Sequence, residues 1–142
     1  MANVLDRQIT LDGWRNVVVK WTGVLDSGNI SEVPALRVDE LTNSDSNLYL
    51  KGFRVDMLEY SIGQGIEVQL EWDGLVPQQI FPLAGRGKIN AWNYGGFLPD
   101  MTRTGYNGSI NLKTTGYAAG TTQNFTVVLE LVKLYWRTQL AA

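Results

Sequence analysis

Ile66-Glu67-Val68-Gln69-Leu70-Glu71-Trp72 alternates apolar and polar residues without a break and runs into Asp73-Gly74. A period of two is that of a strand with one buried and one wet face, because successive side chains leave an extended chain on opposite sides. Asp-Gly is a strong turn signal, so the strand ends there. Just upstream, Leu48 to Ile62 is rich in β-formers such as Tyr49, Phe53, Val55 and Tyr60, and Gly63-Gln64-Gly65 closes it. The two runs together predict a hairpin.

Working outward, Asn16 to Leu25 contains Val17-Val18-Val19, Trp21 and Val24, and Phe125-Thr126-Val127-Val128-Leu129-Glu130-Leu131-Val132 repeats that signature. Apolar residues on both faces predict central strands. Shorter candidates are Gln78 to Leu83, Lys88 to Tyr94 and Tyr106 to Lys113, separated by clusters of Gly, Pro and Asn that mark turns. Pro34 to Thr42 is the only stretch with helical character, and it reads equally well as a short strand. Thr42 to Asn47 is a polar loop. Regularly spaced strands and 15 glycines predict an all-β fold, an antiparallel β-sandwich of jelly-roll-like form with extended terminal arms. The expected divisions are an N-terminal arm over 1–13, the sandwich over 14–135 and a C-terminal tail over 136–142.

The 142 residues, 44% of them hydrophobic, suit one domain with one core. Twelve basic and 14 acidic residues are scattered rather than gathered into blocks, so neither a nucleic-acid footprint nor an acidic tail is evident. With no cysteine, disulfides, thiolate nucleophiles and thiolate zinc sites are all excluded. Met1 to Asp12 lacks the pattern of a signal peptide, and no run approaches the roughly 18 apolar residues of a membrane span. Asn29, Asn107 and Asn124 head N-x-[ST] triplets, which without export are expected to be coincidental.

The chain has no histidine, which removes the usual general base, the usual activator of a serine and the commonest transition-metal ligand. A glycosidase needs only two carboxylates. Glu67 and Glu71 share a strand face, but four extended residues put their backbones about 13 Å apart, too far for the usual pair. Gly85-Arg86-Gly87-Lys88 fails as a phosphate loop, since Pro82 stands where the first glycine belongs and Ile89 follows the lysine; a turn between strands is expected. Asp39, Asp45 and Asn47 match no calcium-loop spacing. Trp92, Tyr94 and Phe97 beside Gly95-Gly96 have the composition of a sugar-stacking platform, with core or interface anchoring as the alternative. The expectation is a protein that binds other proteins, with no catalytic residue, cofactor or metal.

Asp12-Gly13-Trp14-Arg15-Asn16, Thr22 to Asp26, Glu67 to Trp72, Leu83-Ala84-Gly85-Arg86-Gly87-Lys88, Tyr94-Gly95-Gly96, Gly116 to Gly120 and Phe125 to Lys133 together resemble a family of small virion proteins of tailed bacteriophages. The resemblance implies a capsid decoration, or cement, protein: β-rich, on the outer surface of the capsid, bound to the major capsid protein, and a homo-oligomer with a trimer favoured. Neither nucleic acid nor membrane is an expected partner. Since aromatic and arginine residues anchor protein interfaces, Trp14, Arg15, Trp136 and Arg137 are the candidate contacts.

Overall fold

A computed structural model of the chain describes residues 3–13, 15–31, 33–38, 41 and 48–137, with the backbone alone at 48, 49, 136 and 137. The described residues form β1 (Val4–Asp12), β2 (Asn16–Leu25), β3 (Val33–Leu36), β4 (Leu48–Ile62), β5 (Glu67–Trp72), β6 (Gln78–Leu83), β7 (Arg86–Asn90), β8 (Ile110–Thr115) and β9 (Gln123–Arg137). The 3-10 turn Ala91–Tyr94 follows β7.

Two antiparallel sheets result, ordered β1-β2-β9-β4-β7 and β3-β8-β5-β6, and they make an all-β sandwich. Their pairing is nested: β2 pairs with β9, β3 with β8, β4 with β7 and β5 with β6. Eight strands thus behave as one long hairpin folded over onto itself. β1 is added outside β2, from Val4 opposite Val24 to Asp12 opposite Val17, with a register shift between Ile9 and Leu11.

The core lies where the inward faces meet. Val17, Val19, Trp21 and Leu25 of β2, and Phe125, Val127, Leu129 and Leu131 of β9, are buried against Val68, Leu70 and Trp72 of β5 and Ile110 and Leu112 of β8. Each such aliphatic side chain contributes about 1.5–3 kcal/mol through removal from water. Gly23 sits opposite Phe125, and the Phe125 ring fills the space that a Cβ there would need.

The predicted strands at 16–25, 48–62, 66–72 and 78–83 are present, with the third beginning one residue later. The predicted hairpin of 48–62 with 66–72 is not. β4 lies between β9 and β7 in one sheet, while β5 lies between β8 and β6 in the other. Gly63–Gly65 carries the chain across the end of the sandwich, where the Gly63 amide donates to Asn124 O at 2.7 Å and Ile62 and Ile66 close the core. Alternation reveals that a strand has a buried face, not which strand lies beside it. Pro34 to Thr42 supplies β3 rather than a helix, with 39, 40 and 42 outside the described residues. Lys88 to Tyr94 divides between β7 and the 3-10 turn, and the strand expected from Tyr106 starts at Ile110.

The segment expected as an N-terminal arm over 1–13 contains the edge strand β1. Leu5 and Ile9 pack against the core, and the Arg7 guanidinium stacks 5.7 Å from the Trp21 ring centroid while donating to Ala35 O at 3.2 Å. Asn3 fastens one end, its Oδ1 accepting from the Asp26 and Ser27 amides at 2.8 and 2.9 Å and its Nδ2 donating to Gly28 O at 2.9 Å. At the other end Lys133 Nζ of β9 meets Asp12 Oδ1 at 2.6 Å; the lysine side chain is 0% exposed and the aspartate 23%. A buried ammonium without its carboxylate retains its desolvation cost. Asp12→Asn is therefore expected to destabilise the fold by about 3 kcal/mol in urea titration, and adding Lys133→Met is expected to recover most of that loss.

Candidate functional site

Of the four candidate contacts, Arg15 comes to the same end of the sheet as the backbone of 136 and 137, which lie far from it in sequence. β2 starts at Asn16, opposite Val132, and the preceding carbonyl, Arg15 O, accepts from the Lys133 amide at 2.7 Å. The β4–β9 ladder continues past that point, with Trp136 opposite Tyr49 and Arg137 opposite Leu48. Arg15 and Trp136 are thus about 10 Å apart along the strand direction, at one end of the five-stranded sheet. Arg15 is exposed. Trp14 lies outside the described residues. The buried Lys133–Asp12 pair sits beneath this end and holds the β1–β2 connection against β9. Nothing in the sequence signals that pairing, because its partners are 121 positions apart.

The loop aromatics are built differently. After β7 the chain leaves β4 for the 3-10 turn and then rejoins it, Phe97 and Val55 exchanging backbone hydrogen bonds at 2.9 and 3.0 Å. Gly95 and Gly96 have positive φ of 88° and 83°, and Gly96 packs so closely on the Arg54 side chain that a Cβ has no room. Arg54 is held in turn by Asp56 at 2.7 and 3.2 Å, a hydrogen bond that raises the guanidinium pKa further. The base of the excursion is stiff: the Phe97 ring stacks on Phe81 with centroids 6.1 Å apart. At its tip Trp92 is 59% and Tyr94 77% exposed. A 3-10 turn rotates about 120° per residue, so side chains two apart diverge by about 120° and do not form one flat two-ring platform.

The rest of this long connection is tied down by polar contacts. Gln78 donates to Asp100 O at 2.9 Å and accepts from its amide at 2.8 Å. Thr102 donates to Asp100 Oδ1 through its hydroxyl at 2.6 Å and its amide at 3.0 Å, which holds that carboxyl below its ordinary pKa. Half-buried Tyr106 donates to Lys51 O at 3.2 Å, and burial pushes its phenol up to about 12.

The outer face of the four-stranded sheet is occupied by its own side chains. Gln69 donates to Glu67 Oε1 at 3.0 Å, and Gln79 donates to Gln69 at 3.3 Å. Lys113 Nζ lies 3.4 Å from Glu71 Oε1, near enough to pair the charges although that buried oxygen accepts no hydrogen bond. Asp73 accepts from Asn111 at 2.9 Å and Asn107 at 2.6 Å. Glu67 and Glu71, the two carboxylates weighed for glycoside hydrolysis, thus each face a different partner. Gly85-Arg86-Gly87-Lys88 is a turn with φ 71° at Gly85 leading into β7. Asp39, Asp45 and Asn47 lie outside the described residues. Asn29 Oδ1 accepts from Thr114 Oγ1 and the Tyr117 amide. Among the described residues no group of three or more carboxylates is placed to share a metal ion, and no helix is long and apolar enough to cross a membrane.

No family model matches this chain, and no curated protein matches it.

Two outcomes follow from the loop's construction. Trp92→Ala and Tyr94→Ala are expected to change stability by less than about 0.5 kcal/mol, whereas Phe97→Ala costs about 2 kcal/mol or more in urea titration. Because the Asp100 pKa is lowered on folding, its contribution is complete above the ordinary carboxylate range and is lost as pH falls through the lowered value. Protection of the Thr102 amide, taken as its exchange rate relative to the intrinsic rate at each pH, is expected to persist until pH drops below that range.

Proposed function

We propose that this chain is a structural virion protein that decorates and stabilises a bacteriophage capsid by binding the major capsid protein from the outer surface, and that it is not an enzyme. In this reading the strands β2 to β9 form a jelly roll with β1 as an added edge strand, and the molecule acts as a homo-oligomer, a trimer favoured. The sequence resemblance supplies the role. The observation that carries it to a surface is the meeting of Arg15 with the end of β9, which brings position 15 and positions 136–137 to one end of a rigid sandwich.

A cement protein needs no nucleophile or redox group. It needs an unyielding body that binds the assembled shell better than its separate parts, so that stabilisation grows with the ratio of free concentration to dissociation constant. Arginine beside tryptophan suits such contacts, because the guanidinium stacks on aromatic faces and the ring buries a large area at little entropic cost.

A second reading has one observation in its favour: the exposure of Trp92 and Tyr94 on a stiff support suits a carbohydrate-binding adhesion module, with one ring at a time stacking on a sugar.

Purified particles are expected to contain the chain in many copies and to lose heat resistance when stripped of it. Re-addition is expected to restore resistance in proportion to site occupancy, and Arg15→Glu to weaken rebinding at least ten-fold. Absence of the chain from particles overturns the capsid role. Glycan-array binding that disappears in Trp92→Ala would establish the second reading in its place.

A further inference from the structure

The outer face of the five-stranded sheet is unlike that of its partner. Val18, Val128 and Met57 point outward and are half-buried, and beside them runs a depression of about 550 Å³ between β4 and β7, floored by Gly87 and Val128. The charged side chains around them are unused: Asp6, Lys20, Glu59 and Arg86 make no ion pair among the described residues.

The strand registers set these groups in rows. One row reads Gln8, Lys20, Val128, Glu59, Lys88 across all five strands. The next reads Asp6, Thr22, Thr126, Ser61, Arg86 across all five strands. Directly opposed residues of antiparallel strands share a face, and strands are about 4.8 Å apart. Each row is therefore centred on β9, with Lys20 and Glu59 at equal distances on either side in the first and Asp6 and Arg86 in the second, while the first ends on Gln8 and Lys88.

From this pattern we propose that the outer face of the five-stranded sheet docks a second copy of this chain about a two-fold axis running along β9. Rotation about that axis turns the face onto itself and exchanges the β2 and β4 sides. Lys20 then meets Glu59 of the other copy, Asp6 meets Arg86, and each contact occurs twice, as an isologous interface requires. Val128 meets its own copy on the axis, and Val18 meets Met57, since both lie in the row through Glu130. Val128, Val18 and Met57 lie near the axis among the Lys20–Glu59 pairs, and Asp6 and Arg86 lie at the rim. Five strands over eight residues span about 24 by 26 Å, the scale of a standard contact of about 800 Å² per partner. Packed sheets cross at about 30°, which displaces the outer Asp6–Arg86 pair more than the inner Lys20–Glu59 pair. One contact opposes association: Glu130 meets Glu130 on the axis.

The proposal uses no residue of the Arg15 end and does not depend on the capsid reading. Sedimentation equilibrium of the purified full chain, in multiples of 15.8 kDa, tests it. The wild type is expected to be an even-numbered assembly: a dimer, or six chains if a three-fold contact is also made. Lys20→Glu and Glu59→Lys singly are expected to weaken the two-fold contact at least ten-fold, the double variant to restore it, and Glu130→Gln to strengthen it. All three positions are on the outer face, so circular dichroism is expected to stay native. A wild type that remains monomeric at about 100 μM, an odd-numbered assembly indifferent to these changes, or a double variant no better than the singles overturns the proposal. If particles still bind a chain whose two-fold contact is disproved, the capsid reading stands alone.

Discussion

The antiparallel ladder between β4 and β9, running from Leu48 opposite Arg137 to Ile62 opposite Phe125, is the constraint on which the other strands depend. β9 carries β2 on its free side, β2 carries β1, and β4 carries β7. A ladder of that length joins residues more than sixty positions apart, so its loop-closure entropy must be met by burial along its whole inner face. Phe125, Val127, Leu129 and Leu131 from one strand, with Val55, Leu58 and Ile62 from the other, supply it.

The same ladder sets the geometry of the end proposed for recognition. β2 stops short of the end of β9, so Arg15 is delivered beside a strand that runs on to Trp136 and Arg137. A free arm loses conformational entropy on docking, whereas a segment already held by Lys133 and Asp12 has lost it on folding. The two sheets divide other tasks between them. The four-stranded sheet places Gln69, Lys113, Asn107 and Asn111 beside its own outward carboxylates, and the five-stranded sheet leaves Lys20 and Glu59 without an ion pair on either side of a valine. Stiffness at Phe97 and exposure at Trp92 follow a third pattern, in which an excursion from an edge strand is anchored at its base and open at its tip.

Sequence period and composition were enough for the all-β class, for β2, β4, β5 and β6 close to their limits, and for a turn rather than a phosphate loop at Gly85. Those features are local: alternation, β-branched residues and glycine act over a few positions. Which strand lies beside which was decided only in three dimensions. Glu67 to Trp72 reads the same whether Leu48 to Ile62 is its neighbour in a sheet or faces it across the core, and the structure has the second arrangement. The recruitment of Val4–Asp12 as an edge strand, the Lys133–Asp12 pair and the charge rows centred on Val128 have the same origin. Each depends on long-range register, which the packing of two whole sheets determines and no short stretch of residues encodes.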